Sequence, residues 1–448
     1  KQSAKMMLQA ASIAMALFIV VPRLPPFWQT ELESNTQTGL SEQITPGDIA
    51  DLAQSDELVF RAEFSSLIPL PQERYWRSIV LDYFDGKTWM MARAHTEYDR
   101  AATISFENAA YYTQETRYLI VAEPNNTRWL YSLDVPIVEE NMGNMAINMN
   151  RQYQLYRSEI SNSSSLYITR SYLKVPLNMF VNDIDLGRYL QVPPNTNPRT
   201  QAWVQENIKP EMSFSEKIAT ANAFFQSQDF SYTLKPPLMQ TEPVDAFLFD
   251  YQQGFCSHYA SALTYMLRLA NVPARLVAGY QGGEVQGQNI LSVRQFDAHA
   301  WVEAYDAERG WLRFDPTALV APNRTLSGLI SALSERESES FSEDIRGMFD
   351  IPALSGLYEK LAILDHNWDR FVLGFNNDSQ SDIIKDLFGE LSRKSLTHFL
   401  IATLAAIAIF LALIFLPYKK WFTIKRKTAL DIVLKHLETL GYKREKQE

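Results

Sequence analysis

Cys256 is the only cysteine among the 448 residues, and its surroundings suit a nucleophile. It begins a stretch in which apolar residues recur at helical spacing, which predicts a helix ending near Asn271-Val272-Pro273. Unpaired N–H groups and the dipole at a helix N-terminus favour a thiolate and can also hold an oxyanion. We therefore expect a partly exposed, reactive thiol; the alternative is a buried cysteine with only a packing role.

A cysteine nucleophile needs a base, and His299 is the best placed of the six histidines. His258 lies two residues along the predicted helix, so at ~100° per residue it points about 200° away from Cys256. The other four lie in the β-rich N-terminal region or in the C-terminal segments, namely His95, His366, His398 and His436. The alternative for His299 is a surface histidine at the end of a strand.

A carboxylate should orient the imidazole, and Asp315 is the candidate. Two strand-like segments flank a turn, and a hairpin centred near Ala307 would put Asp315 opposite His299, ~5 Å away. Asp297 and Glu303 are competing carboxylates. Asp297 is on the histidine's own strand and Glu303 projects one layer away, so the pattern favours Asp315, which could otherwise be a turn residue.

Composition limits the other classes of site. The chain is 46% hydrophobic and 21% charged, which excludes a disordered protein, and it has no sizeable basic patch for nucleic acid. One cysteine permits neither an intrachain disulfide nor a Cys-rich metal site, and the Cys-x-His spacing lacks further zinc ligands. We expect no metal and no cofactor.

The pattern of the chain predicts an α+β fold preceded by a mostly β region. Short apolar and aromatic runs separated by Asp-Gly and Asn-rich turns fill residues 57–190, which is typical of a sandwich or barrel. Residues 193–198 are expected to form a linker. Helical and strand-like segments alternate from residue 200 to about 322, and residues 331–345 are rich in Ser and Glu.

Charge and hydropathy predict two membrane helices. Residues 399–416 are apolar except for Thr403, residues 6–21 form a shorter apolar run, and the two ends carry net charges of +3 (1–23) and +5 (418–448). The stretch between them carries a net charge of −18, so the whole chain has a net charge of −10. Because positive charge stays on the cytoplasmic side, the middle of the chain should lie outside the cytoplasmic membrane.

The predicted domains are a membrane helix (1–23), an exported β domain (24–192), an α+β core (193–330), a linker with a helical juxtamembrane segment (331–395), a membrane helix (396–417) and a cytoplasmic tail (418–448).

Several motifs together resemble the bacterial transglutaminase-like superfamily. They follow one another in the order Gly254-x-Cys256, Val272-Pro273-Ala274-Arg275, His299-Ala300-Trp301-Val302-Glu303 and Trp311-x-x-x-Asp315-Pro316-Thr317. Farther upstream, Tyr75-Trp76-Arg77 and the run to Trp89 resemble the region before the core in Gram-negative inner-membrane members of this group.

The resemblance implies a papain-like fold with a Cys256-His299-Asp315 triad, an upstream aromatic donor for the oxyanion that maps to Tyr232, and further membrane spans before Lys1. It implies location in the inner membrane with the core in the periplasm. Calcium, which some animal members use, has no clustered acidic loop here.

Three functions follow from these observations. The first is acyl transfer from a glutamine-type carboxamide to an amine through a thioester on Cys256. The second is hydrolysis of the same thioester, as in an amidase or cysteine peptidase. The third is a non-catalytic, membrane-tethered scaffold. The expected partners are membrane lipid and a protein or peptide of the cell envelope; the sequence does not specify the oligomeric state.

Overall fold

The computed structural model describes Met7 and residues 40–45, 52–92, 115–141, 146–160, 163–173, 186–333, 352–374 and 418–442. Within these ranges no helix is both long and apolar enough to cross a membrane. Apart from Met7, the two predicted membrane helices (1–23 and 396–417) lie outside the described residues, and so does His95 with His398.

Eighteen strands are described. They are β1 Gln43–Ile44, β2 Leu58–Phe64, β3 Tyr75–Leu81, β4 Tyr83–Phe84, β5 Trp89–Met90, β6 Glu115–Ala122, β7 Ser132–Leu133, β8 Val135–Asn141, β9 Ile147–Met149, β10 Leu155–Arg157, β11 Ser165–Tyr172, β12 Ser231–Tyr232, β13 Gln253–Gly254, β14 Ala274–Gln281, β15 Glu284–Gln286, β16 Ile290–Arg294, β17 Ala298–Asp306 and β18 Gly310–Phe314.

Eight α-helices are described within the same ranges. They are α1 Pro198–Asn207, α2 Phe214–Gln226, α3 Pro243–Asp245, α4 Cys256–Leu269, α5 Thr317–Val320, α6 Pro322–Ser327, α7 Pro352–Gly374 and α8 Tyr418–Thr439. A π-helical turn, Ala246–Tyr251, follows α3, and 3₁₀ turns lie at Pro71–Glu73, Gly187–Leu190, Gln295–Asp297 and Ile330–Ala332.

Two antiparallel sheets combine strands from both sides of residue 192. The five-stranded sheet has the order β18-β17-β14-β3-β7, and the six-stranded sheet has the order β15-β16-β2-β6-β11-β8. Residues 30–374 accordingly form one compact unit. The predicted β domain (24–192) and the predicted core (193–330) therefore share both sheets: β14 of the core pairs with β3, and β16 of the core pairs with β2.

Gly279 explains how β3 can lie against β14. The register of this pair shifts between Ala278 and Gly279, and a Cβ at Gly279 would lie 1.9 Å from the carbonyl oxygen of Trp76. Such an approach is possible only for a residue without a side chain. On its other edge, β14 pairs with β17, where Gly279 is opposite His299. β3 is thus brought within one strand of the candidate histidine.

The segment 193–198 is packed rather than a free linker. Asn197 is fully buried, and its side-chain oxygen accepts hydrogen bonds from the backbone N–H groups of Val244 and Asp245, at 3.0 and 3.2 Å. Pro198 then occupies the first turn of α1, where its missing N–H has no cost. The Pro- and Asn-rich composition indicates a chain turn here, but it does not reveal these buried contacts.

The helix that carries Cys256 begins and ends close to its predicted bounds. α4 is buried along nearly its whole length and packs against β17 and β14, which makes it the central helix of the fold. Its last turn is followed by Asn271 in a left-handed conformation and then by Pro273, as expected for a helix end. This packing fixes the position of the helix relative to the strand bearing His299.

The two C-terminal helices differ in their surroundings. α7 contacts β6, β11 and β15 of the six-stranded sheet, and Arg61 of β2 binds Asp365 at 2.7 Å and Asp369 at 3.2 Å. The helical juxtamembrane segment expected within 331–395 therefore docks on the β sheet, at least over 352–374. α8, Tyr418–Thr439, belongs to a second unit.

Candidate active site

Cys256 is the first residue of α4, as the sequence predicts. Phe255 before it is extended, so the chain enters the helix directly at the thiol. Gly254 is needed at this entry because a Cβ there would lie 2.8 Å from the Phe247 ring and 2.9 Å from His258. The expectation of a partly exposed thiol is wrong, since only 1% of Cys256 is exposed. Cys256 belongs to the main hydrophobic cluster of the core.

The imidazole of His299 contacts Asp315, although the predicted register is wrong. The atoms Nε2 and Oδ2 are 2.8 Å apart. The hairpin is centred at residue 308 rather than 307, with Val302 opposite Phe314, so Asp315 comes after the end of β18. A shift of two residues keeps Asp315 on the same face of the sheet as His299, because side chains alternate with a period of two.

Three hydrogen bonds hold the Asp315 carboxylate. Its Oδ2 atom also accepts from the Tyr75 hydroxyl at 2.8 Å, and its Oδ1 atom accepts from the backbone N–H of Thr317 at 3.0 Å. Burial alone would raise the pKa of Asp315, but His299 and Tyr75 outweigh it and lower that pKa below its usual value. The carboxylate is therefore ionised, and an ionised carboxylate can only accept.

The protonation of His299 follows from this contact. Because Asp315 only accepts, Nε2 of the ring must carry a proton, which leaves Nδ1 as the atom that can gain or lose one. Nδ1 is buried, and among the described residues the Cys256 thiol is the group that acts on this side of the ring. Burial opposes the charged ring, but Asp315 and then the Cys256 thiol favour it, so the pKa of His299 is raised. The His299 ring is therefore suited to accept a proton at Nδ1.

Tyr232 lies next to the thiol. β12 runs parallel to β13, with Tyr232 in register with Gly254, two residues before Cys256. Burial and then the electrostatic influence of Cys256 raise the pKa of Tyr232, so its hydroxyl remains protonated and can donate. A protonated phenol beside the first turn of α4 is placed to bind negative charge that forms next to the sulfur.

The competing groups have other partners. His258 packs on Phe255 and Phe247, and burial lowers its pKa to about 4. The Asp297 carboxylate accepts from the backbone N–H of Arg294 and caps a 3₁₀ turn. The other two histidines of the described regions lie elsewhere: His366 on α7 contacts Glu63 at 3.0 Å, and His436 is on α8.

Glu303 belongs to a buried ion cluster rather than to the site. It binds Arg77 and Arg275, and all three side chains are almost fully buried. Burial alone would raise the pKa of Glu303, but the two arginines lower it to about 2. The residues the structure describes contain no group of three or more His, Cys, Asp or Glu positioned to hold a metal ion.

Sequence reasoning missed two residues at this site, Tyr75 and Arg324. Tyr75 is 240 residues before the aspartate it contacts, in a region where the sequence indicated no catalytic constellation. Arg324 is fully buried and influences the pKa of Tyr232. The only signal in the sequence for either residue is the Tyr75-Trp76-Arg77 motif. It forms part of the family resemblance, which implies no role for Tyr75.

The fold and the site define a class: mixed α/β proteins with a thiol at a helix N-terminus, an imidazole on the adjoining sheet and a carboxylate one strand away. This chain belongs to the transglutaminase-like superfamily. The family model described as "Transglutaminase-like superfamily" matches residues 201–316, and the model described as "TgpA N-terminal domain" matches residues 1–178.

Known proteins similar to this chain agree with that assignment. The "Protein-glutamine gamma-glutamyltransferase" of Pseudomonas aeruginosa PAO1 is 35% identical over 424 residues, which are 93% of this chain and 61% of that protein. The "Uncharacterized protein YebA" of Bacillus subtilis 168 is 32% identical over 138 residues, or 29% of this chain and 19% of that protein.

The crystal structure of the periplasmic domain of TgpA from Pseudomonas aeruginosa is similar with a TM-score of 0.58 and 38% identity. The match covers 66% of this chain and all of that one. The chain spans about three fifths of the length of the Pseudomonas transferase and a smaller share of YebA.

Proposed function

We propose that this chain is a cysteine acyltransferase of the protein-glutamine gamma-glutamyltransferase type. The observation that carries the proposal is the 2.8 Å contact from His299 Nε2 to Asp315 Oδ2, which leaves Nδ1 as the proton-exchanging atom beside Cys256. The printed name of the Pseudomonas relative supports the choice of a glutamine carboxamide as the acyl donor. The assembled triad argues against a purely structural scaffold.

In the first half-reaction, the Cys256 sulfur attacks the carbonyl carbon of the carboxamide and its proton passes to Nδ1 of His299. The negative charge on the carbonyl oxygen is held by N–H groups in the first turn of α4 and by the Tyr232 hydroxyl. The C–N bond then breaks, and the proton on Nδ1 goes to the departing nitrogen. Ammonia leaves and a thioester remains on Cys256.

In the second half-reaction, an amine attacks the thioester carbon and gives a proton to Nδ1. The C–S bond breaks, the sulfur recovers the proton, and the product is a new amide. Water in place of the amine would give hydrolysis, the amidase alternative. The burial of Cys256 and His299 favours transfer, because a site that excludes water disfavours hydrolysis of a reactive intermediate.

Amine incorporation by the full-length chain tests this function. A fluorescent primary amine and a glutamine-containing peptide should give a labelled peptide and one equivalent of ammonia, with release of the free acid measured in parallel. The expected result is more amide than acid, and neither with Cys256→Ala. Acid alone would establish the hydrolase instead.

We further propose a membrane-anchored protein whose core faces the periplasm and whose tail from Tyr418 is cytoplasmic. The support is the distribution of charge, with basic ends and a middle of −18, and the two apolar runs. The substrate would then be a protein or peptide of the cell envelope.

A further inference from the structure

Arg324 is a buried cation next to the candidate active site. The two half-reactions proposed above give it no role. It lies on α6 and is fully buried. A guanidinium removed from water is costly unless its donors are satisfied, so its position needs a physical reason. Its neighbours provide that reason.

Its hydrogen bonds go to neutral oxygens. Nη1 donates to the side-chain oxygen of Gln281 at 3.1 Å, and Nη2 donates to the carbonyl oxygens of Asp297 and Ala298 at 3.2 and 3.1 Å. Gln281 is itself fixed, because its amide donates to the carbonyl of Thr325 at 2.9 Å. Nε is buried without a hydrogen bond, and no carboxylate of the described residues forms a salt bridge with this side chain.

The positive charge of Arg324 acts on the reacting groups and on two nearby carboxylates, those of Asp297 and Asp315. The guanidinium interacts with the Tyr232 hydroxyl and acts electrostatically on the Cys256 thiol. Burial alone would lower the pKa of Arg324, but Tyr232, Cys256 and Asp297 outweigh it and raise that pKa, so the side chain is charged. A fixed cation in a dry site acts strongly on charge that forms nearby.

We propose that Arg324 is a positioning residue for acyl transfer: it holds the Tyr232 hydroxyl beside Cys256 and supplies positive potential where the thiolate and the oxyanion form. This inference rests on the proposed function for its kinetic consequence. A role confined to binding the carbonyls before β17 would be structural, and the two roles give different results in a double-mutant cycle.

The cycle uses Arg324→Gln, Tyr232→Phe and the double variant in the full chain, with kcat and KM measured separately. Each single change should lower kcat by roughly tenfold or more with KM nearly unchanged, because the lost interaction is made in the transition state. The double variant should be little slower than the slower single variant. If the fold-loss of kcat in the double variant equals the product of the two single losses, Arg324 does not act through Tyr232. That result would overturn the inference.

Arg268 provides a matched control. It is also a buried arginine whose donors bind backbone carbonyls, those of Asp82, Gln191 and Ala274. It sits on the last turn of α4, about 18 Å along the helix from Cys256 at 1.5 Å per residue. Arg268→Gln should lower thermal stability without changing kcat of the folded protein. An equal loss of kcat in both arginine variants would contradict a specific role for Arg324.

A second readout needs no turnover. Because Cys256 is the only cysteine, the pH dependence of its alkylation by iodoacetamide reports charge stabilisation at one sulfur. Arg324→Gln should move the midpoint upward by roughly 0.5 to 1 pH unit, and Arg324→Lys, which keeps the charge, should restore most of it. If the alkylation midpoint shifts in Arg324→Gln but the parent protein transfers no acyl group, only the proposed function is refuted. Transfer without a shift would refute the role of Arg324.

Discussion

The Tyr75 hydroxyl donates to the same oxygen of Asp315 that accepts from His299, with both donors 2.8 Å away. Tyr75 is on β3, in the part of the chain that precedes the core, and β3 lies beside β14 in the sheet that carries His299. The N-terminal β region therefore contributes a side chain, that of Tyr75, to the candidate active site.

Tyr75→Phe should lower kcat/KM of acyl transfer about fivefold, because it removes one hydrogen bond worth about 1 kcal/mol from the orienting carboxylate. Steady-state kinetics would measure it. Tyr118→Phe is the control, since Tyr118 is a buried tyrosine of the six-stranded sheet that bonds to Ser171 instead. Equal kinetic effects in the two variants would mean that the Tyr75 hydroxyl matters only for packing.

Asp315→Asn should slow acyl transfer by roughly 10² to 10⁴, because an amide cannot stabilise the imidazolium. The carboxylate helps to raise the pKa of His299, so its removal lowers that pKa and should move the alkaline limb of the pH–rate profile to lower pH. Asp297→Asn is the comparison. If it slowed transfer more than Asp315→Asn in folded protein, the orienting carboxylate would be Asp297.

Glu303→Gln should destabilise the fold, because two buried arginines lose their charged partner. The folded-state pKa of about 2 lies below the ordinary 4.5, so the stabilisation is complete above pH 4.5 and is lost as pH falls toward 2. The expected loss at pH 7 is about 3 kcal/mol, measured by urea unfolding. The difference from the parent should shrink at pH 3; a constant difference would contradict the cluster.

Reporter fusions after Ser334 and after Lys446 test the proposed topology. The basic tail and the acidic middle predict a periplasmic signal from the first and a cytoplasmic signal from the second. An alkaline phosphatase and a fluorescent protein distinguish the two compartments. The same location for both fusions would exclude a membrane helix between them.

The sequence predicts the elements that carry the candidate triad because each is a local pattern. The helix at Cys256 has apolar residues at helical spacing, and the strand of His299 is a strand-like segment that ends at a turn. The predicted hairpin is centred one residue too early, but Asp315 still meets His299 because a register error of two residues keeps it on the same face of the sheet.

What the sequence does not show depends on contacts between distant residues. No local signal joins Tyr75 to a carboxylate 240 residues later or reveals that Arg324 is buried beside Tyr232. The burial of Cys256 likewise depends on how segments far apart in the chain close around α4. The sequence also does not show that the two large sheets combine strands from both sides of residue 192. Strand pairing over long sequence distances leaves no periodicity in either partner.

Trapping of the acyl-enzyme tests the central claim most directly. The full chain is mixed with a glutamine-containing peptide, quenched in acid and analysed by intact mass and peptide mapping. The account predicts an adduct on Cys256 with the mass of the peptide less one ammonia, which disappears when an amine is added before the quench and never forms with Cys256→Ala. Amine incorporation without any adduct at Cys256, or an adduct that persists in the alanine variant, would contradict it.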